Sequence, residues 1–291
     1  MKTNRILGSV DLVLAAAIWG GMFVVVKSVV AEILPIQLVW LRYVVGAVVL
    51  LALALLRRIQ WHWDWRNLGL IGLVGIIGDT ISIVAQETGT WLSSAQLGSV
   101  VTTATPAFMI LFSWPLLKQR PHWYHWLSLA LASSGVLAIV GHQVTGKHIA
   151  LGVICLLIAA LTWALMSALV QLIGSEYDGL QVTLLATVVA IICLTPVIGY
   201  QHQVLQTIHW GSPHIFLSIF YLGAISTALA FFLWNQGLRR FDSPASGIFF
   251  LIQPVVGSIL GWLFLQEPIS SGFFGGLFLI LLSVLVTSRF G

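Results

Sequence analysis

The stretch Gly223–Pro268, GAISTALAFFLWNQGLRRFDSPASGIFFLIQPVVGSILGWLFLQEP, decides how the chain is read. Two apolar spans flank a short basic turn, Arg239-Arg240-Phe241-Asp242-Ser243. The second span holds Pro254 at mid-depth and closes on Glu267-Pro268. The same pattern runs 148 residues earlier, from Gly75 to Arg120: Gly75 answers Gly223, Gly89 answers Gly237, Pro106 answers Pro254 and Trp114 answers Trp262. The shared positions are glycine, proline and tryptophan, residue types with backbone or interface roles. Gln119 stands where Glu267 would predict an acid. A chain that repeats itself is read as two halves.

Composition sets the solvent. A chain that is 59% hydrophobic and only 8% charged cannot cover a globule with polar groups, so lipid must solvate much of it. Working outward from the opening stretch, ten apolar spans of bilayer-crossing length are expected at about 10–30, 35–56, 67–88, 94–117, 123–141, 149–173, 180–199, 214–238, 244–266 and 270–288. Loops with turn chemistry separate them, among them Asp178-Gly179 and Ser212-Pro213. The reading is an all-α integral membrane protein of ten transmembrane helices in two inverted five-helix repeats, 9–141 and 149–288. Ten of the 13 basic residues, including Arg57, Arg58, Arg239 and Arg240, fall on the side that also holds both termini. The positive-inside rule then places both termini in the cytoplasm of a multi-pass cell-membrane protein. An odd number of spans per half inverts the second half, an architecture suited to alternating access.

Ala17-Ile18-Trp19-Gly20-Gly21-Met22-Phe23 closing on Lys27, then Pro35 and Leu41-Arg42-Tyr43, resemble the first two helices of EamA-type transporters of the drug/metabolite transporter superfamily. So do Thr227-Ala228-Leu229-Ala230-Phe231 with Trp234, Pro254 and Glu267. The resemblance covers nearly the whole chain. It implies ten helices in two EamA repeats and a small-metabolite permease, often an exporter of amino acids or drug-like amphiphiles. Two departures are Gln119, in place of the acid usual at that helix end, and Ala164, which follows Trp163 where the first half has Gly20.

Charge inside the bilayer costs about 2.5–3.5 kcal/mol on insertion scales, so such groups face a cavity or a partner. At about 1.5 Å per residue, Arg42 and Asp79 fall at similar depths, roughly 10 and 13 Å below the outer surface. Lys27 and Glu87 both fall near that surface. Arg42–Asp79 and Lys27–Glu87 are therefore expected as interhelical partners. They would be static ties, or Asp79 would be a proton-linked group, or a cation would meet substrate directly. Asp79, Ser82 and Gln86 recur at i, i+3 and i+7 as one polar stripe that should face the central cavity or another helix, and with Arg42 they are candidates for the substrate path. Trp19 and Trp163 sit midway along their spans at matching positions, unlike interfacial Trp61, Trp63 and Trp65. With Trp234, Asn235 and Gln253 they are candidates for the substrate path. Pro106 and Pro254 are expected helix breaks that free carbonyls a turn below. Gly69, Gly72, Gly75 and Gly78 form a stripe suited to close helix packing.

Other chemistries find little footing. All eight histidines lie in loops or at helix ends, so no metal site is expected, and no Walker-type loop points to ATP. No cofactor and no nucleic-acid partner are expected. Cys155 and Cys193 lie within apolar spans as small hydrophobes. An enzyme would need catalytic groups clustered at one depth, which the chain lacks. The expected partners are a small-molecule substrate and the lipid bilayer. A homodimer is compatible, but a chain holding both halves can work alone. The alternatives to an exporter are an exchanger of anionic metabolites such as sugar phosphates or nucleotide-sugars, or a non-transporting membrane subunit.

Overall fold

Among the described residues the chain is helical throughout and contains no strand in the computed structural model. Those residues are 2–118, 122–143, 147–201, 206, 208–241, 249–250, 252–267 and 271–290. The elements, in order, are α1 (Lys2–Val29), α2 (Pro35–Arg57), α3 (Trp65–Leu92), α4 (Ala95–Thr102), α5 (Thr105–Leu117) and α6 (Trp123–Gln143). They continue with α7 (Lys147–Val170), α8 (Gly179–Tyr200), α9 (220 and 221 joining Pro213–Phe220 to Tyr221–Leu229 and Ala230–Phe241), α10 (Ile252–Leu265) and α11 (Ser271–Phe290).

Local chemistry explains most boundaries. Pro35 begins α2, where its missing N–H costs nothing, and Arg58 closes that helix in the left-handed region at φ 50°. Asp64, Ser94 and Asp178 cap α3, α4 and α8 by accepting from Asn67 N, Leu97 N and Leu180 N. α3 and α9 each contain a wide π-helical stretch, Gly75–Ser82 and Tyr221–Leu229. In each, a threonine hydroxyl donates to the carbonyl five residues back: Thr80 to Gly75 O at 2.9 Å and Thr227 to Leu222 O at 2.8 Å.

These wide stretches also sit at close helix contacts. A Cβ at Gly75 would lie 2.6 Å from Ala186 O and 2.7 Å from Val189 Cβ, on α8. A Cβ at Gly223 would lie 2.7 Å from Arg42 O and 2.6 Å from Val45 Cβ, on α2. The same contact thus occurs twice, through residues 148 apart on one side and 144 apart on the other. Of the expected glycine stripe, only Gly75 and Gly78 meet a neighbour; Gly69 and Gly72 face open space.

The expectation of ten crossing spans in two five-helix repeats is corrected by the structure. Among the described residues six helices are long and apolar enough to cross a membrane: Ile6–Val29, Pro35–Arg57, Trp65–Leu92, His148–Val170, Gly179–Tyr200 and Pro213–Trp234. Ile252–Leu265 and Gly272–Ser283 are apolar but shorter. The span expected at 94–117 is divided because the chain leaves the helix at Thr103–Ala104, between α4 and α5. Apolar composition measured the length of that span and could not register the break. Arg239, Arg240 and Phe241 of the expected basic turn belong to the end of α9, while Asp242, Ser243, the Gln119 position and Pro268 lie outside the described residues.

Candidate functional site

Arg42 is the only cation buried deep among the described helices, and the structure pairs it differently from the depth estimate. Its Nη1 donates to Glu87 Oε1 at 2.7 Å, while Nε and Nη2 donate to Thr227 Oγ1 at 3.2 and 3.0 Å. Nη2 also reaches Ser226 Oγ and Met22 Sδ, each at 3.4 Å. The guanidinium therefore ties α2 to α3 and to the wide stretch of α9. Asp79 is buried beside it on α3, and its backbone carbonyl accepts from the Tyr43 hydroxyl at 2.8 Å. The expected Arg42–Asp79 pair is thus replaced by Arg42–Glu87. Glu87 follows Asp79 by more than two helical turns, so matching depth along the helices chose the wrong acid.

Lys27 does not pair with Glu87. Its Nζ donates to the carbonyls of Thr90, Trp91 and Ser93 at 3.2, 2.7 and 2.7 Å, closing the C-terminus of α3. A cation there neutralises the negative end of the helix dipole. Glu267 performs the complementary task. Its two carboxylate oxygens accept from Ala95 N at 2.7 Å and Gln96 N at 2.9 Å, at the N-terminus of α4. Gln96 Nε2 returns a bond to Glu267 O at 3.2 Å. The acid noted in the sequence at the end of the ninth span is therefore an anchor for the α3–α4 corner.

Between these ties lies a small cavity of about 40 Å³. Five of the expected path residues line it: Trp19, Arg42, Gln86, Trp163 and Gln253. Its aromatic side is continuous. The Trp19 ring lies 5.5 Å from Phe231 and 5.8 Å from Phe250, and Phe231 lies 5.6 Å from Trp163. Trp19 is fixed by an Nε1–H bond to Ser226 O at 3.1 Å. Trp234 stands behind this wall, 5.3 Å from Trp19 and 4.5 Å from Phe250.

Other expected residues lie elsewhere. Ser82 donates to Ala159 O at 2.8 Å and so serves the α3–α7 contact. The side chain of Asn235 lies outside the described residues. Pro106 and Pro254 do not kink helices from within; they occupy the first turns of α5 and α10, where proline is tolerated. The carbonyls expected to be freed above Pro106 are already taken. Thr105 Oγ1 donates to Thr102 O, the group that a Pro106 N–H would have served, at 2.6 Å. Thr102 and Thr103 hydroxyls donate to Gly98 O and Ser99 O at 2.7 and 2.6 Å.

Sequence reasoning missed several cavity residues. Met22 lies one turn after Trp19 and meets both Arg42 and, at 4.0 Å, Gln86 Nε2. Its i+3 spacing was the available signal. Phe231 and Phe250 had none beyond their place in apolar spans, and Thr102 and Thr105 required knowledge of the helix break. Among the described residues no group of three or more His, Cys, Asp or Glu could hold a metal ion, and both cysteines are free.

Comparison with known proteins agrees with this architecture. The sequence model of the EamA-like transporter family matches residues 6–141 and again residues 150–289. A protein of Archaeoglobus fulgidus named "Uncharacterized transporter" is 24% identical over 279 residues, covering 96% of this chain and 97% of its own length. The uncharacterized transporter YvbV of Bacillus subtilis is 26% identical over 273 residues, covering 91% and 86%. The putative permease-like protein YdzE of Bacillus subtilis is 52% identical over 69 residues, 24% of this chain and 88% of its own. A protein known from its crystal structure shares the fold with a TM-score of 0.70 at 17% identity, over 99% of this chain and 97% of that one. With the family matched twice across most of its length, the chain belongs to the EamA-like transporter family and is a multi-pass membrane transporter rather than an enzyme.

Proposed function

We propose that the protein is a permease that exports small amphipathic or aromatic organic metabolites, amino acids among them, through the cavity lined from α1 to α5 and from α7, α9 and α10. The single observation that carries this reading is the cavity wall. Trp19, Trp163, Phe231 and Phe250 offer apolar faces, while Gln86 and Gln253 offer amides, beside one guanidinium. A mostly apolar pocket with a few placed polar groups suits a small organic body carrying one polar end. The wall draws on both segments, 9–141 and 149–288. Their relative motion would open the cavity to one side and then the other. An exchanger of sugar phosphates or nucleotide-sugars has less support. Phosphate recognition favours several uncommitted cations, whereas Arg42 is held by Glu87 and Lys27 by carbonyls.

The test is flux of labelled aromatic and branched amino acids in proteoliposomes of the purified full chain, in both directions and with Trp163→Ala alongside. The expected result is flux above protein-free vesicles that drops at least about tenfold in Trp163→Ala, since that side chain forms part of the wall. Flux that ignores Trp163→Ala would move the path away from this cavity.

A further inference from the structure

We infer that this site selects its substrates by positive charge, taking protonated aromatic amines in preference to carboxylates of the same shape. The inference rests on the transport reading above and narrows it. Three observations carry it, all from the charge and hydrogen-bond state of the cavity and its surroundings.

The first is that the one cation in the wall is spent. Every nitrogen of the Arg42 guanidinium is committed: Nη1 to Glu87, Nε to Thr227, and Nη2 to Thr227, Ser226 and Met22. A substrate carboxylate seeking a bidentate grip would have to displace Glu87 from a 2.7 Å charge-assisted bond, and would then leave that buried acid without its counter-charge. An anion therefore meets a cost at the point where a bare arginine would have offered a gain.

The second is that buried acids outnumber buried cations on the described helices around the cavity. Glu87 and Asp79 are both buried on α3, and Arg42 is the one buried cation among the described residues near them. Glu87 uses one oxygen for Arg42, and its Oε2 is buried with no hydrogen-bond partner. Asp79 lies four residues before Ile83, one turn along α3 from a residue that lines the cavity. Two buried acids thus share one buried cation. A cation entering the cavity relieves that imbalance, whereas an anion adds to it.

The third is the character of what remains unfilled. Gln253 lines the cavity, is 5% exposed, and its Oε1 is buried without a partner. A buried acceptor left unsatisfied is costly and is met by a donor such as an N–H. The aromatic wall works in the same direction, because the faces of tryptophan and phenylalanine attract cations within about 6 Å of the ring centre. An ammonium on an aromatic body would thus find ring faces and an unpartnered amide oxygen in the cavity wall, with Glu87 behind Arg42.

Four ligands of one shape test this directly: 2-phenylethylamine, phenylalanine, 3-phenylpropionate and 3-phenyl-1-propanol. Binding to the purified full chain is measured by calorimetry, and counterflow is measured in proteoliposomes. The expected order is amine, then zwitterion and alcohol, then carboxylate, with the amine at least about tenfold tighter than the carboxylate. Asp79→Asn should narrow that gap severalfold while leaving the alcohol's affinity within twofold. Gln253→Leu, which fills the same volume without an acceptor, should weaken the amine more than the alcohol. Carboxylate binding equal to or tighter than the amine overturns the charge preference and leaves the transport reading in place. So does an alcohol that matches the amine. Absence of binding and flux for all four would overturn both readings together.

Discussion

Arg42 and Glu87 face each other at 2.7 Å across α2 and α3, with 3% and 0% of their side chains exposed. Burial this complete makes the pair costly to break and cheap to replace. Removing one partner strands the other charge, at roughly 3–5 kcal/mol, whereas exchanging both for apolar groups is often neutral. Arg42→Met alone is expected to lower thermal stability sharply, and Arg42→Met with Glu87→Met to recover most of the loss. Thermal unfolding of the detergent-solubilised protein reads both. A double variant as unstable as the single one would mean that Thr227 and Ser226, not Glu87, are the partners that matter.

Glu267 should protect two particular amides. Its carboxylate holds Ala95 N and Gln96 N, which belong to the orphan donors that every helix N-terminus leaves. Glu267→Gln keeps the shape and removes the charge, weakening an anion–helix interaction worth up to about 2 kcal/mol when partly buried. Hydrogen exchange at Ala95 and Gln96 is expected to accelerate by up to about thirtyfold, with the amides of α8 unchanged. Uniform acceleration along the chain would instead mark a general loss of stability.

Glycines of equal sequence standing differ in consequence. Gly75→Ala drives a methyl against the Ala186 carbonyl and Val189 and is expected to be destabilising. Gly69→Ala and Gly72→Ala meet nothing within 4 Å and should stabilise α3 by up to about 1 kcal/mol each, since alanine is the better helix former. Melting temperatures of the three single variants decide the matter, and a stabilised Gly75→Ala would contradict the close approach to α8.

At the opposite end of α3, Asp64 joins two loops. It caps Asn67 N at 3.0 Å, and its Oδ2 accepts from Asn67 Nδ2 at 2.8 Å and from the Tyr177 hydroxyl at 2.9 Å. The Asn67 backbone N–H first, then the Asn67 side chain and Tyr177, hold the Asp64 carboxyl below its ordinary value of 3.8. A folded-state pKa below the unfolded one stabilises fully above the ordinary value, and this contribution fades as pH falls through the folded value. The stability difference between wild type and Asp64→Asn is therefore expected to be constant above about pH 5 and to shrink below 3.8. Melting curves of both proteins across that range check it, and a gap that widens in acid would reverse the assignment.

The parts legible in the sequence were those that depend on residue type alone. Apolar content announced the membrane, and Pro35 and Asp178 marked helix starts. Trp19 and Trp163 stood out because mid-span tryptophans at matching positions are hard to assign to an interface. What failed depended on helix phase. Depth alone paired Arg42 with Asp79 and Lys27 with Glu87, without regard to which way each side chain turns about its helix axis. That error gave Arg42 and Lys27 the wrong partners. The number of crossing spans failed for a related reason: hydropathy averages over a window, so the interruption at Thr103–Ala104 left no trace in it. Backbone hydrogen bonding decides both features, and threonine hydroxyls that satisfy carbonyls at i−4 and i−5 give only a faint compositional signal.

Gly75–Ser82 and Tyr221–Leu229 set the azimuth of everything beyond them. One residue of an α-helix turns the chain by about 100°, so each residue absorbed by a wider turn rotates the remainder of the helix by a large angle without changing its direction. α3 uses this to enter with Gly75 pressed on α8 and to leave with Glu87 aimed at Arg42. α9 does likewise, from Gly223 against α2 to the Phe231 edge of the cavity. Straightened into a regular α-helix, either segment would keep its glycine contact and swing its polar or aromatic edge toward lipid. The wide turns are phase shifters, and a deletion of a single residue within them would rewire the interior while leaving the helices intact.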